Sequence, residues 1–524
     1  MGARGEAILV EVEEWLYITL VQMQTKGKKM EKKLKVLFLS PEAIPFAKTG
    51  GLADVAGSLP EALKRQGVDV RMALPLYATV RKANINAHLI LKNLKVPLGK
   101  EKLVAQVLES ETKGGVPVYL IEREDLYDRP NLYGNAFGDY YDNLERFTFF
   151  AHASLLISEN IAFKPDLIHC HDWQTGLIPA LIKGPYKDHK TIGGTPVVFT
   201  IHNLGYQGLF PPEKLIITGL SKKEYFHPEG LEFWGKICLL KAGIVYSEAI
   251  TTVSPTYAKE IQTPQYGMGM DGILRKRRES LFGILNGVDY CIWDPAQDSH
   301  LPANYSLQNM AGKYDCKRSL IKEMNLDPSL ENRPLLGMIS RLDAQKGLDL
   351  LVEILNDILA LNVGLVILGT GDKKIQEAIR KVAASNPGQV GLKIGFDEPL
   401  AHRIIAGVDI FLIPSRYEPC GLTQMYSLKY GTVPVVRATG GLEDTIVPFD
   451  SQTGSGNGFK FGPYEPKAFL SAIRKAIELF HDSKSWEQIK ANGMKADFSW
   501  DRSAKTYINI YQSIIKGVNS IHSG

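Results

Sequence analysis

The sequence predicts an α/β protein built from two doubly wound, Rossmann-like domains that face each other across a cleft. Short apolar strands alternate with amphipathic helices in two successive blocks, the first starting near residue 34 and the second at Pro334. Repeated alternation of this kind is typical of parallel sheets covered by helices. The length of 524 residues also exceeds what one ordinary hydrophobic core supports.

The pattern places the boundaries of these units. We expect a first domain over residues 34–288 and a second over 289–498, since residues 291–333 are polar and form the joint. Residues 499–524 are predicted as a C-terminal helix with one apolar stripe. Residues 1–33 are predicted to be a disordered extension or the product of a start codon assigned too early, and the acidic residues between positions 11 and 14 argue against a targeting peptide.

Composition excludes several classes of partner. A net charge of +4 gives no concentrated basic face, so no nucleic acid partner is expected. The chain has no apolar run near the roughly 20 residues that cross a bilayer, so no membrane partner is expected either. Five scattered cysteines without a C-x-x-C pair indicate a reducing compartment, which predicts a cytoplasmic protein.

The first candidate site follows the first strand. The apolar run 34–39 reads as a buried strand, and Leu52, Val55, Leu59 and Leu63 have helical spacing. Lys48, Gly50 and Gly51 therefore lie where a strand passes into a helix, which is where parallel sheets bind anions. A tight turn with a surface lysine is the alternative.

Two later strands of the first block end in polar side chains. The stretch His169-Cys170-His171-Asp172 resembles a metal cluster, but alternate side chains of a strand point to opposite faces, and no second Cys/His pair completes a zinc site. We therefore predict no metal, with Asp172 or His171 contacting a hydroxylated ligand. His202 ends the next strand beside a glycine-rich loop, which favours a role in binding substrate.

The second block carries two comparable turns. Arg341 and Lys346 lie five residues apart in one of them, so both side chains could converge on one anion. In the other, Glu418 precedes a helix start where the N–H groups of Gly421 to Thr423 could hold phosphate while the carboxylate accepts sugar hydroxyls. Cys420 has no His and Asn partners that would make it a nucleophile, so it is predicted to pack as a small residue.

These motifs, in this order, resemble the bacterial glycogen synthases and plant starch synthases. The resemblance runs from about Leu34 to the C-terminus. The most specific pieces are Lys48–Val55, His171–Trp173, His202–Gly208, Ser254–Ala258, Leu285–Asp289, Arg341 with Lys346, and Glu418–Thr423.

The resemblance implies the GT-B fold, with the active site between the domains and the C-terminal helix crossing back to the first domain. It implies retaining transfer of glucose from ADP-glucose to the non-reducing end of an α-1,4-glucan, with no metal ion and no cofactor. Within the motifs, the first turn approaches the donor phosphates, the Arg341 turn holds the diphosphate, the Glu418 turn binds the glucosyl unit, and four further positions line the sugar and acceptor side. The implied residues are Lys48, Gly50, Gly51 and Asp54; Arg341 and Lys346; Glu418, Cys420, Gly421, Leu422 and Thr423; and Tyr133, Asp172, His202 and Asn286.

Several alternatives stay open at this point. UDP-glucose could be the donor, or a small acceptor could be used, as in sucrose-type synthases. A phosphorylase would need a lysine that binds pyridoxal phosphate. An inactive glucan-binding protein would have no need for a clamp made of Lys48, Arg341 and Lys346, whose positive charges can offset the charge that develops on a diphosphate leaving group.

Overall fold

The computed structural model describes residues 33–83, 85–135 and 137–522, with side chains described up to residue 517. The predicted N-terminal extension lies, apart from Lys33, outside these residues. The predicted fold class is confirmed: two mostly parallel, helix-covered sheets form the two halves of the molecule.

The first half is organised around a large sheet. Its strands and those of two small neighbouring sheets are β1 (Lys35–Leu39), β2 (Asp69–Pro75), β3 (His88–Leu98), β4 (Glu101–Glu111), β5 (Pro117–Glu122), β6 (Gly134–Asn135), β7 (Gly138–Asp139), β8 (Leu167–His171), β9 (Val197–Ile201), β10 (Leu209–Phe210), β11 (Glu232–Phe233), β12 (Lys236–Cys238), β13 (Ala249–Thr252) and β14 (Leu281–Gly283). Among the described residues, the large sheet has the order β14-β13-β9-β8-β1-β2-β5-β4-β3, and only β4 pairs antiparallel with its neighbours.

The second half forms a six-stranded, fully parallel sheet. Its strands are β15 (Leu335–Ile339), β16 (Gly364–Gly369), β17 (Val390–Ile394), β18 (Ile410–Ile413), β19 (Val433–Arg437) and β20 (Phe459–Phe461). Within the described part of the chain their order is β17-β16-β15-β18-β19-β20, the 3-2-1-4-5-6 arrangement of a Rossmann sheet.

Helices cover both faces of each sheet. They are α1 (Gly51–Arg65), α2 (Ala78–Lys82), α3 (Glu124–Tyr127), α4 (Asn143–Asn160), α5 (Asp172–Thr175), α6 (Ile178–Lys183), α7 (Lys222–Tyr225), α8 (Leu239–Tyr246), α9 (Pro255–Glu260), α10 (Asp271–Lys276), α11 (Ala311–Glu323), α12 (Leu348–Leu359), α13 (Lys373–Ser385), α14 (Glu398–Gly407), α15 (Thr423–Lys429), α16 (Gly440–Thr445), α17 (Pro466–Phe480), α18 (Ser483–Lys495) and α19 (Trp500–His522). Short 3-10 turns cover Pro212–Thr218, Arg278–Ser280, Pro328–Asn332 and Ala344–Lys346. Helix α1 is continuous through Pro60, although a proline inside a helix usually bends or breaks it.

The topology of each sheet creates one point where the chain reverses its direction of strand addition. In the first sheet this point lies between β1 and β8, which are adjacent and parallel. In the second sheet it lies between β15 and β18, also adjacent and parallel. Doubly wound sheets bind ligands beyond the carboxyl ends of the strands at such a point, because the loops diverge there and leave a crevice.

The C-terminal helix α19 returns to the first half. The guanidinium of Arg65 on α1 pairs with Asp501, the Ser503 hydroxyl donates to the Leu285 carbonyl, and Tyr511 is fully buried with its hydroxyl 2.8 Å from Nδ1 of His169. The apolar stripe therefore covers the first sheet and the helix α1.

The two halves also contact each other through their strand-to-helix turns. Ser254 Oγ donates to the Pro419 carbonyl at 2.7 Å, and Thr256 donates through both its N–H and its hydroxyl to Asp444. Glu260 accepts hydrogen bonds from the turn at Thr439. These contacts lie at the carboxyl ends of β13, β18 and β19, so the same edges of both sheets face one cleft.

Candidate functional site

The turn after β1 is held by a carboxylate that the sequence motifs do not single out. Glu42 is buried, and it accepts hydrogen bonds from the N–H and the hydroxyl of Thr49 and from the N–H of Gly50. It also accepts from the hydroxyl of Tyr133 at 2.6 Å. The N–H groups of Thr49 and Gly50 therefore donate to Glu42, and this carboxylate sets the shape of the glycine turn.

Lys48 lies on the outer side of the same turn. Its ammonium group is 2.7 Å from Oδ1 of Asp54 on α1, and its side chain is about two-fifths exposed. Open space lies where a Cβ would project from Gly50 and Gly51, so nothing in the described residues closes off the backbone here. A ligand can reach this turn from the cleft.

The turns after β8 and β9 bring Asp172, His202 and His171 together. Oδ1 of Asp172 accepts from the backbone N–H of His202 at 2.7 Å, and Nδ1 of His171 lies 2.9 Å from Nε2 of His202. Asp172 has a φ of 55°, a conformation that non-glycine residues rarely adopt. Such strain is concentrated at functional sites, where the surrounding structure holds it in place.

Burial controls the protonation of this group. Burial raises the pKa of Asp172 to about 7. The backbone N–H groups of His202 and Asn203 oppose this rise, because they donate hydrogen bonds to the carboxylate. Burial lowers the pKa of His202 to about 3, so the imidazole is neutral at physiological pH. A neutral imidazole can donate one hydrogen bond and accept another, but carries no charge.

The histidines of β8 are engaged inside the protein. His169 contacts the Thr200 hydroxyl through Nε2 and the Tyr511 hydroxyl through Nδ1, and His171 contacts His202. Within the residues that the structure describes, no three His, Cys, Asp or Glu side chains are grouped to hold a metal ion. The apparent metal motif is thus built into the hydrogen bonding of the first sheet.

In the second half, Lys346 pairs with Glu418. The two side chains come from the turns after β15 and β18, and Nζ of Lys346 lies 2.6 Å from Oε2 of Glu418, which also accepts from Ser415. Both are largely buried, with 21% and 9% of their side-chain surfaces exposed. The pair sits at the reversal point of the second sheet.

Arg341 points to different partners. Its guanidinium lies 3.3 Å from Asp343 and 3.0 Å from the side-chain oxygen of Gln345, and half of it is exposed. The predicted cations Lys48, Arg341 and Lys346 thus occupy three separate ion pairs in this structure. Arg341 and Lys346 do share one turn, as the sequence predicts.

The turn at Glu418 is packed closely by the glycines of a neighbouring turn. A Cβ on Gly440 would lie 1.9 Å from the Glu418 carbonyl oxygen, and one on Gly441 would lie 2.1 Å from that of Cys420. Gly421 has a φ of 71°, which a glycine adopts without strain. This backbone leads through Leu422 and Thr423 into α15.

Cys420 and Asn286 lie close together on either side of the cleft. Burial raises the pKa of the Cys420 thiol to about 12, partly offset by the Asn286 backbone donor, so this thiol is not poised as a nucleophile. The side-chain oxygen of Asn286 is buried and has no partner among the described residues. A buried acceptor without a donor favours a ligand group at this place.

The one strong feature that sequence reasoning misses is Glu42. It follows the end of β1 by three residues, so its place at the carboxyl edge of the sheet was a usable signal. The contacts that define it, to Thr49 and to Tyr133 some 91 positions away, depend on the folded loop.

Two family models cover most of the described chain. A model described as the starch synthase catalytic domain matches residues 35–276, and one described as glycosyl transferases group 1 matches residues 322–495. Two curated relatives are similar over nearly their whole length. A glycogen synthase of Anaeromyxobacter sp. (strain Fw109-5) is 47% identical over 92% of this chain and 99% of its own, and one of Syntrophotalea carbinolica is 44% identical over the same shares.

Solved structures give the same picture. The catalytic domain of starch synthase IV from Arabidopsis thaliana, bound to ADP and acarbose, aligns with a TM-score of 0.85 and 32% identity over 93% of this chain and all of that chain. A sucrose-phosphate synthase from Thermosynechococcus elongatus aligns over the same shares with a TM-score of 0.57 and 16% identity, which shows a common fold alone. None of the helices that the structure describes combines the length and apolar character needed to cross a membrane.

Proposed function

Because the chain belongs to the glycogen and starch synthase family of glycosyltransferases, we propose that it transfers glucose from ADP-glucose to the non-reducing end of an α-1,4-glucan, with retention of configuration. The observation that carries this proposal is the near full-length likeness to curated glycogen synthases at 44–47% identity. The ADP in the related Arabidopsis structure supports an adenine nucleotide donor.

We assign the donor diphosphate to the two reversal points of the sheets. Lys48 with the Gly50 and Gly51 turn would approach it from the first half, while Arg341 and Lys346 would hold it from the second. In this structure each cation is paired with a carboxylate, namely Asp54, Asp343 or Glu418. A bound diphosphate would share or replace these partners, and Asp54 would then position the freed lysine.

The glucosyl unit belongs with the turn that contains Glu418. The carboxylate would accept sugar hydroxyls, and the N–H groups from Cys420 through Gly421 and Leu422 to Thr423 would bind the neighbouring phosphate and sugar oxygens. The unpartnered side-chain oxygen of Asn286 offers a further acceptor for a hydroxyl.

The acceptor side is formed by Tyr133, Asp172 and His202. The Tyr133 hydroxyl is held at this side by the hydrogen bond that it donates to Glu42. Burial raises the pKa of Asp172, and the negative charge of Glu42 raises it further. With its pKa near 3, His202 would act as a neutral hydrogen-bond partner for the sugar.

The chemistry that fits these groups is attack of the acceptor hydroxyl on the same face that the leaving phosphate departs from. A bond forms between the acceptor oxygen and the anomeric carbon, the bond from that carbon to the phosphate oxygen breaks, and the leaving phosphate takes the acceptor proton. Fixed positive charges stabilise the diphosphate as it develops charge. A double displacement would need a carboxylate nucleophile, and we assign that role to no residue.

The decisive experiment measures ADP release from ADP-glucose with and without glycogen. The proposal expects release that depends on glycogen, elongated α-1,4 chains in the product, and a slower reaction with UDP-glucose. Release without chain elongation, or faster reaction with UDP-glucose, would contradict it. The cytoplasmic location, supported by five cysteines that are all free, and the domain boundaries at residues 288 and 498 stay predictions.

A further inference from the structure

One aromatic side chain is displayed to solvent at the tip of a rigid hairpin. Strands β11 and β12 pair antiparallel, with Phe233 opposite Lys236, so Trp234 and Gly235 form a two-residue turn. The Trp234 side chain is 82% exposed. A single exposed apolar side chain is common on protein surfaces, whereas a group of them marks a site of interaction.

The backbone at this turn disfavours tryptophan. Trp234 has a φ of 50° and Gly235 a φ of 77°, the combination for which hairpins select Asn, Asp or Gly at the first position. A bulky residue there is strained, and its largely exposed ring makes an edge-on contact with Phe233, at 6.1 Å between the ring centroids. Strain of this kind is retained where it serves a function.

Hydrogen bonds from Lys241 and Gly235 hold the hairpin in place. The buried ammonium of Lys241 donates to the carbonyls of Pro228 and Glu232, and the Gly235 N–H donates to the Glu232 side chain at 2.7 Å. The tip is therefore a preorganised platform, and a ligand that stacks on Trp234 does not have to order a loop.

A row of aromatic contacts connects the hairpin to the proposed acceptor side. The ring of Tyr133 lies 6.4 Å from that of Trp173, which lies 5.8 Å from that of Phe210 on β10. Strand β10 pairs with β12 of the hairpin. Because Trp173 is buried, this connection runs through packed rings inside the first half, and it links the hairpin to the acceptor-side residues.

A second connection runs through the loop after His202. The side-chain amide of Gln207 donates to the Met268 carbonyl, and a Cβ on the adjacent Gly269 would lie 3.4 Å from Nε1 of Trp234. Tyr206 and Met268 are themselves partly exposed, at 52% and 36%. We call Tyr206, Trp234 and Met268 the rim patch.

We propose that the rim patch is a binding site for the glucan acceptor, in which Trp234 stacks on the apolar C–H face of a glucose ring away from the reacting end of the chain. This inference rests on the proposed function, since it extends the acceptor site of that reaction. An uncharged sugar chain fits because the three side chains of the patch are uncharged, whereas an anionic polymer would need cations there.

The test compares Trp234→Asn and Trp234→Ala with the wild type in full-length protein. Asn accepts the left-handed backbone, so this variant removes the ring without lowering the Tm. Both variants are expected to raise the KM for glycogen about three- to tenfold, the range for losing one aromatic contact. The kcat and the KM for ADP-glucose are expected to stay unchanged. Tyr314→Ala, which removes an exposed aromatic side chain from α11, is the matched control with wild-type kinetics.

Binding is also measured without turnover, as retardation in native gels that contain glycogen. Wild-type KM and retardation in both Trp234 variants would overturn the proposal, as would an equal rise in the KM for ADP-glucose. A change of oligomeric state in the variants with unchanged glycogen binding would also overturn it and assign the patch to contact between copies of the chain. If the wild type fails to release ADP, the proposed function fails, while retardation that Trp234→Asn abolishes would still support the platform.

Discussion

Replacing Lys346 with Ala separates a structural role of its ion pair from a role in the reaction. The wild-type pair with Glu418 is 2.6 Å long and mostly buried. Removing the ammonium leaves the carboxylate with the Ser415 hydroxyl as its one hydrogen-bond partner among the residues that the structure describes. A charge-assisted hydrogen bond contributes about 1.5–3 kcal/mol, and about 2 kcal/mol lost from a domain near 200 residues lowers the Tm by roughly 4–8 °C.

The expected effect on turnover is separate from this loss. If Lys346 stabilises the leaving diphosphate, kcat falls about 10²-fold or more, the range for removing one group that stabilises transition-state charge. ADP release is measured at saturating ADP-glucose and glycogen, well below the Tm of the variant, so that the folded fraction is the same as in the wild type.

Lys317→Ala provides the control. Lys317 forms an ion pair with Asp409 at 2.7 Å, equally buried at 7% and 13% exposed, but just before β18, at the opposite edge of the same sheet. We expect a similar fall in Tm with turnover close to that of the wild type. Turnover of Lys346→Ala within about threefold of the wild type would refute the leaving-group role, and a 10²-fold loss in Lys317→Ala would show that the assay reports stability alone.

Four further predictions follow from the same geometry. Arg341→Ala is expected to lower kcat about 10²-fold with little change in Tm, because its guanidinium is half exposed, and near-normal turnover would remove it from the diphosphate site. Asp172→Asn is expected to stabilise the fold by up to about 4 kcal/mol at pH 8 and much less at pH 4. The reason is that Asp172 stays protonated in the folded protein while it ionises in the unfolded chain, so the stability of the wild type falls between pH 4 and pH 7. Tm values of both proteins across that pH range measure the difference. Glu42→Gln places an amide against donors from Thr49 and Tyr133 and is expected to raise the KM for ADP-glucose about tenfold, whereas an unchanged KM would mean that the turn keeps its shape without the carboxylate. Dialysis against EDTA is expected to leave ADP release intact, and a loss that Mg²⁺ restores would contradict the metal-free reaction.

The fold was largely predictable because the strands and helices of parallel α/β sheets differ clearly in the spacing of their apolar residues. Strands β15 to β19 are short apolar runs between helices, and they lie within a few residues of the strands that the sequence predicts at 335–340, 363–369, 389–396, 409–415 and 433–438. Local sequence also places the polar turns at the carboxyl ends of the strands, since each turn directly follows its strand.

The pairings inside the site were not predictable in the same way. Lys346 and Glu418 are 72 positions apart, and His171 and His202 are 31 apart, so each contact depends on which strands become neighbours. Apolar periodicity identifies strands but not their order in the sheet. The sequence therefore predicts Lys346 as part of an anion site but does not predict its ion pair with Glu418. The roles of these residues in the reaction stay predictions.

The last helix has a consequence for how the chain is made. His169 lies in the middle of the first sheet, yet the hydroxyl that satisfies its Nδ1 belongs to Tyr511, 342 positions later. When the ribosome has synthesised the first half, one apolar flank of its sheet and the imidazole of His169 therefore still lack the helix that covers them. That flank can close only when α19 has emerged, so the earlier half reaches its finished state after the later one has been synthesised.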